Sequence, residues 1–470
     1  MAQKKAKSKL AYEKKFVWET ANKTEKKEIM KLADEYKLFM DVSKTERASA
    51  KEIIKQAEAN GFKPFDQVEK LTPGTKFYAE NKGKMVAMFI MGNDAIETGM
   101  NIVGSHIDAP RIDLKQVPLY EDAGMALLKT HYYGGIRKYQ WVTIPLALYG
   151  TVVKSDGEVI EISVGDDEKD PVFYISDLLP HLAKDQGAKK LNEGIEGENL
   201  NVIVGGFPFE DDDESDKFKR NILEILFDKY GMVEEDFVSA EFELVPAGKS
   251  RDVGFDRAFV AAHGHDDRVC AYPCLKAMFE VKDNNKTAVG LYVDKEEIGS
   301  VGNTGMHSQF FNNLVAEVIM KANEGNYNEI LLRRCLANSN VLSSDVAAAF
   351  DPNYAAAYEK NNSAIIGKGV TMVKYTGSRG KSGCNDANAE FVGKVRKLFN
   401  DANVSWQTAE LGKVDQGGGG TIAYILANYN MNVIDFGVPV LSMHAPVELI
   451  HKSDLYAAYI GYKAFMSDFE

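Results

Sequence analysis

The segment NIVGSHID, residues 101–108, decides the fold. Its apolar, β-rich start reads as a strand buried on both faces, and it ends in an imidazole and a carboxylate. The same texture recurs in MVAMFIMG (85–92), KTAVGLYVD (286–294), NSNVLSSD (338–345), NVSWQTAE (403–410) and NVIDFGVPV (432–440). Helical spacing is read around 268–281, 306–324, 386–400, 419–429 and 453–466. Strands alternating with helices predict an α/β domain whose mixed, largely parallel sheet is covered by helices on both faces. Ahead of it, Phe16 and Val17, then Ile29, Leu32, Tyr36 and Phe39, mark N-terminal helices, and Ser43 reads as the cap of a further one.

Between residues 120 and 245 the texture changes to short Val, Ile and Tyr runs separated by acidic turns. This predicts a β-rich second domain, 120–245, inserted into a first domain formed by 1–119 and 246–470. The segment 187–200 and the acidic run Glu210–Asp216 read as solvated.

Composition narrows the function. A chain of 470 residues exceeds what one core holds. Its net charge of −13 argues against a general nucleic-acid binder. No apolar run approaches the roughly 20 residues that span a bilayer. The basic start, MAQKKAKSKLAYEKK, lacks the apolar core of a secretory signal. Four cysteines, Cys270, Cys274, Cys335 and Cys384, are too few for a disulfide scaffold and suit a reducing cytoplasm. Cys270 and Cys274, four apart in a helical pattern, read as core.

Ligands of open α/β sheets bind beyond the carboxyl ends of the strands. Five segments bring metal-binding or acid–base residues there: His106 with Asp108; His263, His265, Asp266 and Asp267; Glu296 with Glu297; Asp345; and His444. Each alone is weak evidence, since an Asp before a helix is usually a cap. Together they converge on one sheet edge, and burying so many unpaired carboxylates is prohibitive without cations. Imidazole and carboxylate without thiolate suit zinc, with cobalt or manganese as substitutes. Three carboxylates against two divalent ions leave charge for a hydroxide. Residues two apart share a face of an extended segment, so Asp108 can fix the tautomer of His106. The side chains of Glu296 and Glu297 diverge, so one can bind metal while the other moves a proton.

These residues resemble the aspartyl aminopeptidase and vacuolar aminopeptidase I family of dinuclear zinc exopeptidases. The likeness runs from GSHIDAPRIDLK to VPVLSMHAP through HYYGGI (131–136), HDDR (265–268), DKEEIGS (294–300), SSDVAAAFDPNY (343–354) and GGGGTIAYILA (417–427), nearest the bacterial branch. The resemblance implies Asp266 as a carboxylate bridging two Zn2+ ions. It implies His106 and Asp345 as terminal ligands of one ion, and Glu297 and His444 as those of the other. Glu296 resembles the general base and Asp108 the residue that orients His106. Where some members read Leu-Asp-Asn, this chain has His265-Asp266-Asp267, a second acid at the bridging position. The implied activity is hydrolysis of the N-terminal peptide bond of peptides. The implied assembly is a homo-oligomer, a dodecamer joined through the insertion, with His181 as a candidate contributor to a neighbour's site.

A deacylase using the same centre is the alternative enzyme, and a binding protein that has lost catalysis is the alternative from another class. A phosphate loop at Gly417–Gly420 is weaker, because no Lys-Ser/Thr follows it. An acidic substrate side chain would need a cation, for which Lys374, Arg379 and Lys381 lie in a plausible segment. The preferred N-terminal residue, acidic or neutral, stays open at this level.

Overall fold

The computed structural model describes residues 10–210 and 215–470, so the first nine residues of the basic start and residues 211–214 of the acidic run lie outside the described residues. Its centre is a nine-stranded mixed sheet. Met100–His106 is buried along its whole length and lies between Thr287–Val293 and Asn340–Ser343, parallel to both. Asn432–Gly437 continues the parallel run beyond Asn340–Ser343. Met85–Ile90 on one side and Val370–Val373 on the other run antiparallel to these strands, and Lys76–Asn81 pairs antiparallel with Met85–Ile90 beyond it.

Alternation along these strands builds two cores. Val103, Tyr292, Leu342 and Ile434 face the helices Lys23–Val42, Glu46–Ala59, His265–Met278, Ala389–Asp401 and Lys452–Asp468. Ile102, Val289, Val341 and Val433 face Phe310–Ala322, Glu329–Ala337 and the short helix Ala423–Ala427. Cys270 and Cys274 are buried in the first of these cores, as their spacing predicts. No helix among the described residues is long and apolar enough to cross a membrane.

Several local readings are corrected. Ser43 ends the first long helix, and Thr45 caps the next, its Oγ1 accepting from the amide of Ala48. The helix expected over 419–429 is confined to Ala423–Ala427, because Gly417–Gly420 packs as a loop. A Cβ at Gly417 would lie 1.7 Å from the carbonyl oxygen of Leu411. The single strand expected over 432–440 is two strands in two sheets. After Asn432–Gly437 the chain crosses to Pro439–Leu441, part of a five-stranded sheet with Ala347–Ala348, Glu448–His451, Phe259–Ala262 and Arg251–Val253. Periodicity cannot mark this break, since both halves are apolar and buried.

The third sheet is the six-stranded antiparallel one, with Lys217–Tyr230 packed on it. Its strands run from Arg111–Asp122 to Ala240–Pro246, so it starts ahead of residue 120. The chain enters it directly from the segment after His106. At that root Arg111, almost buried, pairs with Glu46 (3.4 Å), Asp113 (2.8 Å) and Glu243 (3.2 Å). The ion cluster therefore ties the six-stranded sheet to the helix Glu46–Ala59.

Gly437 sits where the segment after Asn340–Ser343, which carries Asp345, and the crossing chain nearly touch. A Cβ there would lie 1.7 Å from the backbone oxygen of Asp345. Gly437→Ala must move backbone, not a side chain, so it is expected to cost about 3 kcal/mol. Thermal unfolding of the variant should show a clear fall in Tm, and an unchanged Tm would contradict the close approach.

Candidate metal centre

The parallel strands set the site by ending together. His106 is the last residue of its strand and pairs in register with Val293, three residues before Glu296. Gly104 pairs with Ser343, two residues before Asp345. Asp266 and Asp267 come from the start of His265–Met278, where their backbone angles are not helical. Gly264 makes the turn into that segment at φ 72°, with the Arg268 guanidinium packed where a Cβ would project. His444 follows Pro439–Leu441 in a loop, at φ 63°.

The seven residues to which the resemblance gives roles meet here, whereas His265 packs between the Tyr36 hydroxyl and the Val260 carbonyl and His263 lies against the Pro446 carbonyl. Asp266 lies at the middle. Its Oδ1 is 3.1 Å from His106 Nε2 and its Oδ2 is 3.3 Å from His444 Nε2. His444 Nε2 is also 3.4 Å from Glu297 Oε2. On the other side, His106 Nε2 is 4.0 Å from Asp345 Oδ1 and 3.9 Å from Glu296 Oε2. His181 lies outside this cluster, on an exposed turn.

Asp108 is the hub beneath the cluster. Its carboxylate lies 3.2 Å from His106 Nδ1, and it accepts from the Tyr133 hydroxyl at 2.8 Å. The amides of Glu296 and Glu297 also donate to it, each at 3.2 Å. One buried carboxylate thereby holds an imidazole and the turn that presents both glutamates. His444 Nδ1 lies 2.9 Å from the carbonyl oxygen of Gly135 and, as donor, leaves Nε2 free to face the site.

Two supporting residues, Glu448 and Tyr133, escaped the sequence reading, and Asp267, read there as a second acid, has a supporting role as well. Glu448 accepts from the amides of His444 (2.7 Å) and Asp266 (2.9 Å), joining two segments that are far apart in the chain. Tyr133 orients Asp108. Asp267 accepts from the amide of His106 at 3.2 Å. Tyr133 lies within the quoted HYYGGI and Glu448 two residues beyond the quoted VPVLSMHAP, but nothing in their spacing tells where their side chains go.

The electrostatics are those of a cluster built around cations. Burial, with the neighbouring carboxylates, pushes Glu297 and Asp345 well above the usual carboxylate range. Burial first, with the charges of Asp266 and Asp108 beside it, outweighs the imidazoles of His106 and His444 and lifts Glu296 to about 7. Glu448 is raised by burial and by Asp266 to about 8. Burial acts against the charged form of His444, but Asp266 and Glu297 outweigh it and raise the imidazole to about 10. For Asp266 burial likewise opposes ionisation, and the hydrogen bonds from His106 and His444 overcome it and hold the carboxyl well below its ordinary value.

Two observations test whether these residues suit metal. Glu297 Oε1 and Asp267 Oδ1 are buried without a hydrogen-bond partner, an arrangement that costs free energy unless a cation supplies the missing contact. Potential ligand atoms of Asp266, Glu297 and His444 all lie within 4.8 Å of one another, as do those of His106, Asp267 and Asp345. Oxygen and imidazole nitrogen without thiolate is a zinc donor set. The residues fit. Beside them opens a cavity of about 710 Å3, bounded by Glu296, Asp345, Met443 and the glycine loop.

A mixed α/β sheet with imidazoles and carboxylates gathered at the carboxyl ends of its parallel strands is the frame of a metallohydrolase. The profile of the aminopeptidase I zinc metalloprotease family, M18, matches residues 39–466. The chain belongs to that family and is a zinc metallo-aminopeptidase. A probable M18 family aminopeptidase 1 of Clostridium acetobutylicum is 53% identical over 463 residues, covering 98% of this chain and 99% of the relative. The crystal structure of an M18 aminopeptidase from Thermotoga maritima superposes with a TM-score of 0.94 at 45% identity, covering 97% of this chain and 100% of that one. The mApe1 of Saccharomyces cerevisiae, solved as a dodecamer, shares the fold at 21% identity with a TM-score of 0.72, covering 92% of this chain and 95% of that one.

The pKa directions give a signed prediction for chelated protein. Glu296 and Glu448 are raised from about 4.5 to about 7 and 8, and His444 from 6.5 to about 10. Each binds more protons folded than unfolded across those windows, so their contribution is present at low pH and lost as pH rises. The Tm of the chelated protein should fall between pH 6 and 9, and added zinc should flatten the profile. A chelated protein with a flat profile would contradict the site's electrostatics.

Proposed function

We propose that the chain holds two zinc ions and uses them, with Glu296 as general base, to hydrolyse the first peptide bond of peptides. The observation that carries this reading is the Asp266 carboxylate, whose two oxygens face two different imidazoles. A carboxylate so placed suits a bridge. His106 and Asp345 would complete one ion's protein ligands, and Glu297 and His444 the other's. Asp267, though near His106 and Asp345, has one oxygen committed to the His106 amide, which favours Asp266 as the shared ligand.

The bound ions would supply a Lewis acid for the scissile carbonyl and lower the pKa of water at the site. Glu296 takes the proton from the attacking water and returns it to the nitrogen of the leaving amine, so the C–N bond breaks as the acid forms. Its tendency to hold a proton near neutrality, which follows from burial, suits both halves of that transfer. Asp108 keeps His106 in one tautomer and fixes the backbone from which Glu296 and Glu297 project.

We also propose a homo-oligomer joined through the antiparallel insertion, which carries exposed Phe207, Leu182 and Phe227, and a dodecamer as its form. The described cysteines are free thiols, three of them buried, which suits the cytoplasm.

Glu296→Gln should retain zinc and lose at least about 1,000-fold in kcat, a loss on the scale of a removed general base. Near-normal turnover would exclude Glu296 from this role. Asp266→Ala should lose zinc and activity together, read by metal analysis of the purified variant. Two zinc ions per chain in that variant would rule out the bridge.

A further inference from the structure

We infer that Arg111 is a positioning residue for the hydrolysis: its guanidinium, stacked on Tyr133, holds the Tyr133 hydroxyl on Asp108 and so fixes His106 and the turn that carries Glu296. The inference rests on the proposed hydrolysis at the Asp266 centre and gives the root of the six-stranded sheet a part in it.

Arg111 opens the strand Arg111–Asp122 and lies directly across from Tyr133, the last residue of Met125–Tyr133. Its guanidinium carbon is 3.9 Å from the centre of the Tyr133 ring. A cation over an aromatic face is attracted to it, more strongly away from water. Arg111 is itself held: Glu46, Asp113 and Glu243 pair with it, and the first and last of these are buried. A guanidinium can stack on a ring and fork towards carboxylates at once, which an ammonium cannot.

The stacked ring reaches the site through its hydroxyl. Tyr133 donates to Asp108 Oδ2 at 2.8 Å, whereas His106 Nδ1 and the amides of Glu296 and Glu297 lie 3.2 Å from the same carboxylate. The shortest of these contacts to the buried Asp108 is thus the one that Arg111 controls. Without it, among the described residues, Oδ2 keeps the amide of Glu297 as its donor, and the carboxylate can turn away from His106. The next two residues extend the contact. The backbone oxygen of Gly135 faces His444 Nδ1 at 2.9 Å, and a Cβ at Gly134 would lie 3.4 Å from the Cβ of Glu297. This strand end therefore touches both halves of the centre. Among the described residues no hydrogen bond or ion pair joins Arg111 to a proposed metal ligand, so it acts through Tyr133 and Asp108.

The test compares Tyr133→Phe, Arg111→Lys and the double variant with the parent enzyme. kcat and KM are read on whichever aminoacyl p-nitroanilide the zinc-loaded parent cleaves best, with zinc content measured in each protein. The visible absorption of the cobalt-loaded proteins reports the surroundings of the metal without turnover. Tyr133→Phe should keep its metal and lose about 10- to 100-fold in kcat, with KM within about twofold. Arg111→Lys, which keeps the charge that the acids need, should lose about tenfold in kcat. The double variant should fall no further than Tyr133→Phe alone, because one residue acts through the other. The cobalt bands should shift in both single variants. Full kcat in either single variant, losses that multiply in the double variant, or unshifted cobalt bands would each overturn the inference. If Arg111→Lys does not fold, Arg111→Gln combined with Glu243→Gln removes one charge of each sign and takes its place under the same expectations. A parent that cleaves no aminoacyl p-nitroanilide would contradict the proposed hydrolysis, and the cobalt bands would still decide the positioning.

Discussion

The Asp266 carboxylate, buried between the imidazoles of His106 and His444, is the contact on which the rest of the site depends. It joins two halves of the site that arrive from different sheets. His106, Glu296 and Asp345 come from the ends of the central parallel strands, and His444 comes from the small five-stranded sheet. A charged group so deeply buried is stable only with compensating charge. The surrounding structure is arranged to hold that compensation in place rather than to dilute it with water.

Two buried acids do most of this holding. Asp108 gathers His106, Tyr133 and the amides of Glu296 and Glu297, while Glu448 gathers the amides of Asp266 and His444. Asp108 links the ends of the central strands to Tyr133 of the six-stranded sheet, and Glu448 links two segments that follow strands of the five-stranded sheet. The sharp crossing at Gly437, where the chain leaves one sheet for the other against the backbone of Asp345, belongs to the same construction. Pre-organisation of this kind keeps the reacting groups in place before substrate enters.

Much of this was legible in the sequence, because it depends on strand ends. Apolar runs closing in His106, Glu296 or Asp345 imply one edge once the sheet is parallel, and the register of Val293 with His106 is what brings them level. What was not legible depends on tertiary direction. Glu448 and Tyr133 carry no local signal, since each serves a backbone amide or a carboxylate supplied by a distant segment. The break at Gly437 is invisible to periodicity because the residues on both sides are buried. Ser43 and Thr45 are equally good caps by composition, and only the backbone angle at Thr45 decides between them. The glycine run 417–420 reads as a helix start, yet close contacts with Leu411 and Ser378 keep it a loop on the cavity wall.

Anomalous diffraction at the zinc edge, from crystals of the zinc-loaded protein, tests the central claim most directly. The account predicts two peaks per chain, one against His106 and Asp345 and the other against Glu297 and His444, with Asp266 touching both. A single peak, or a pair that does not share Asp266, would contradict it.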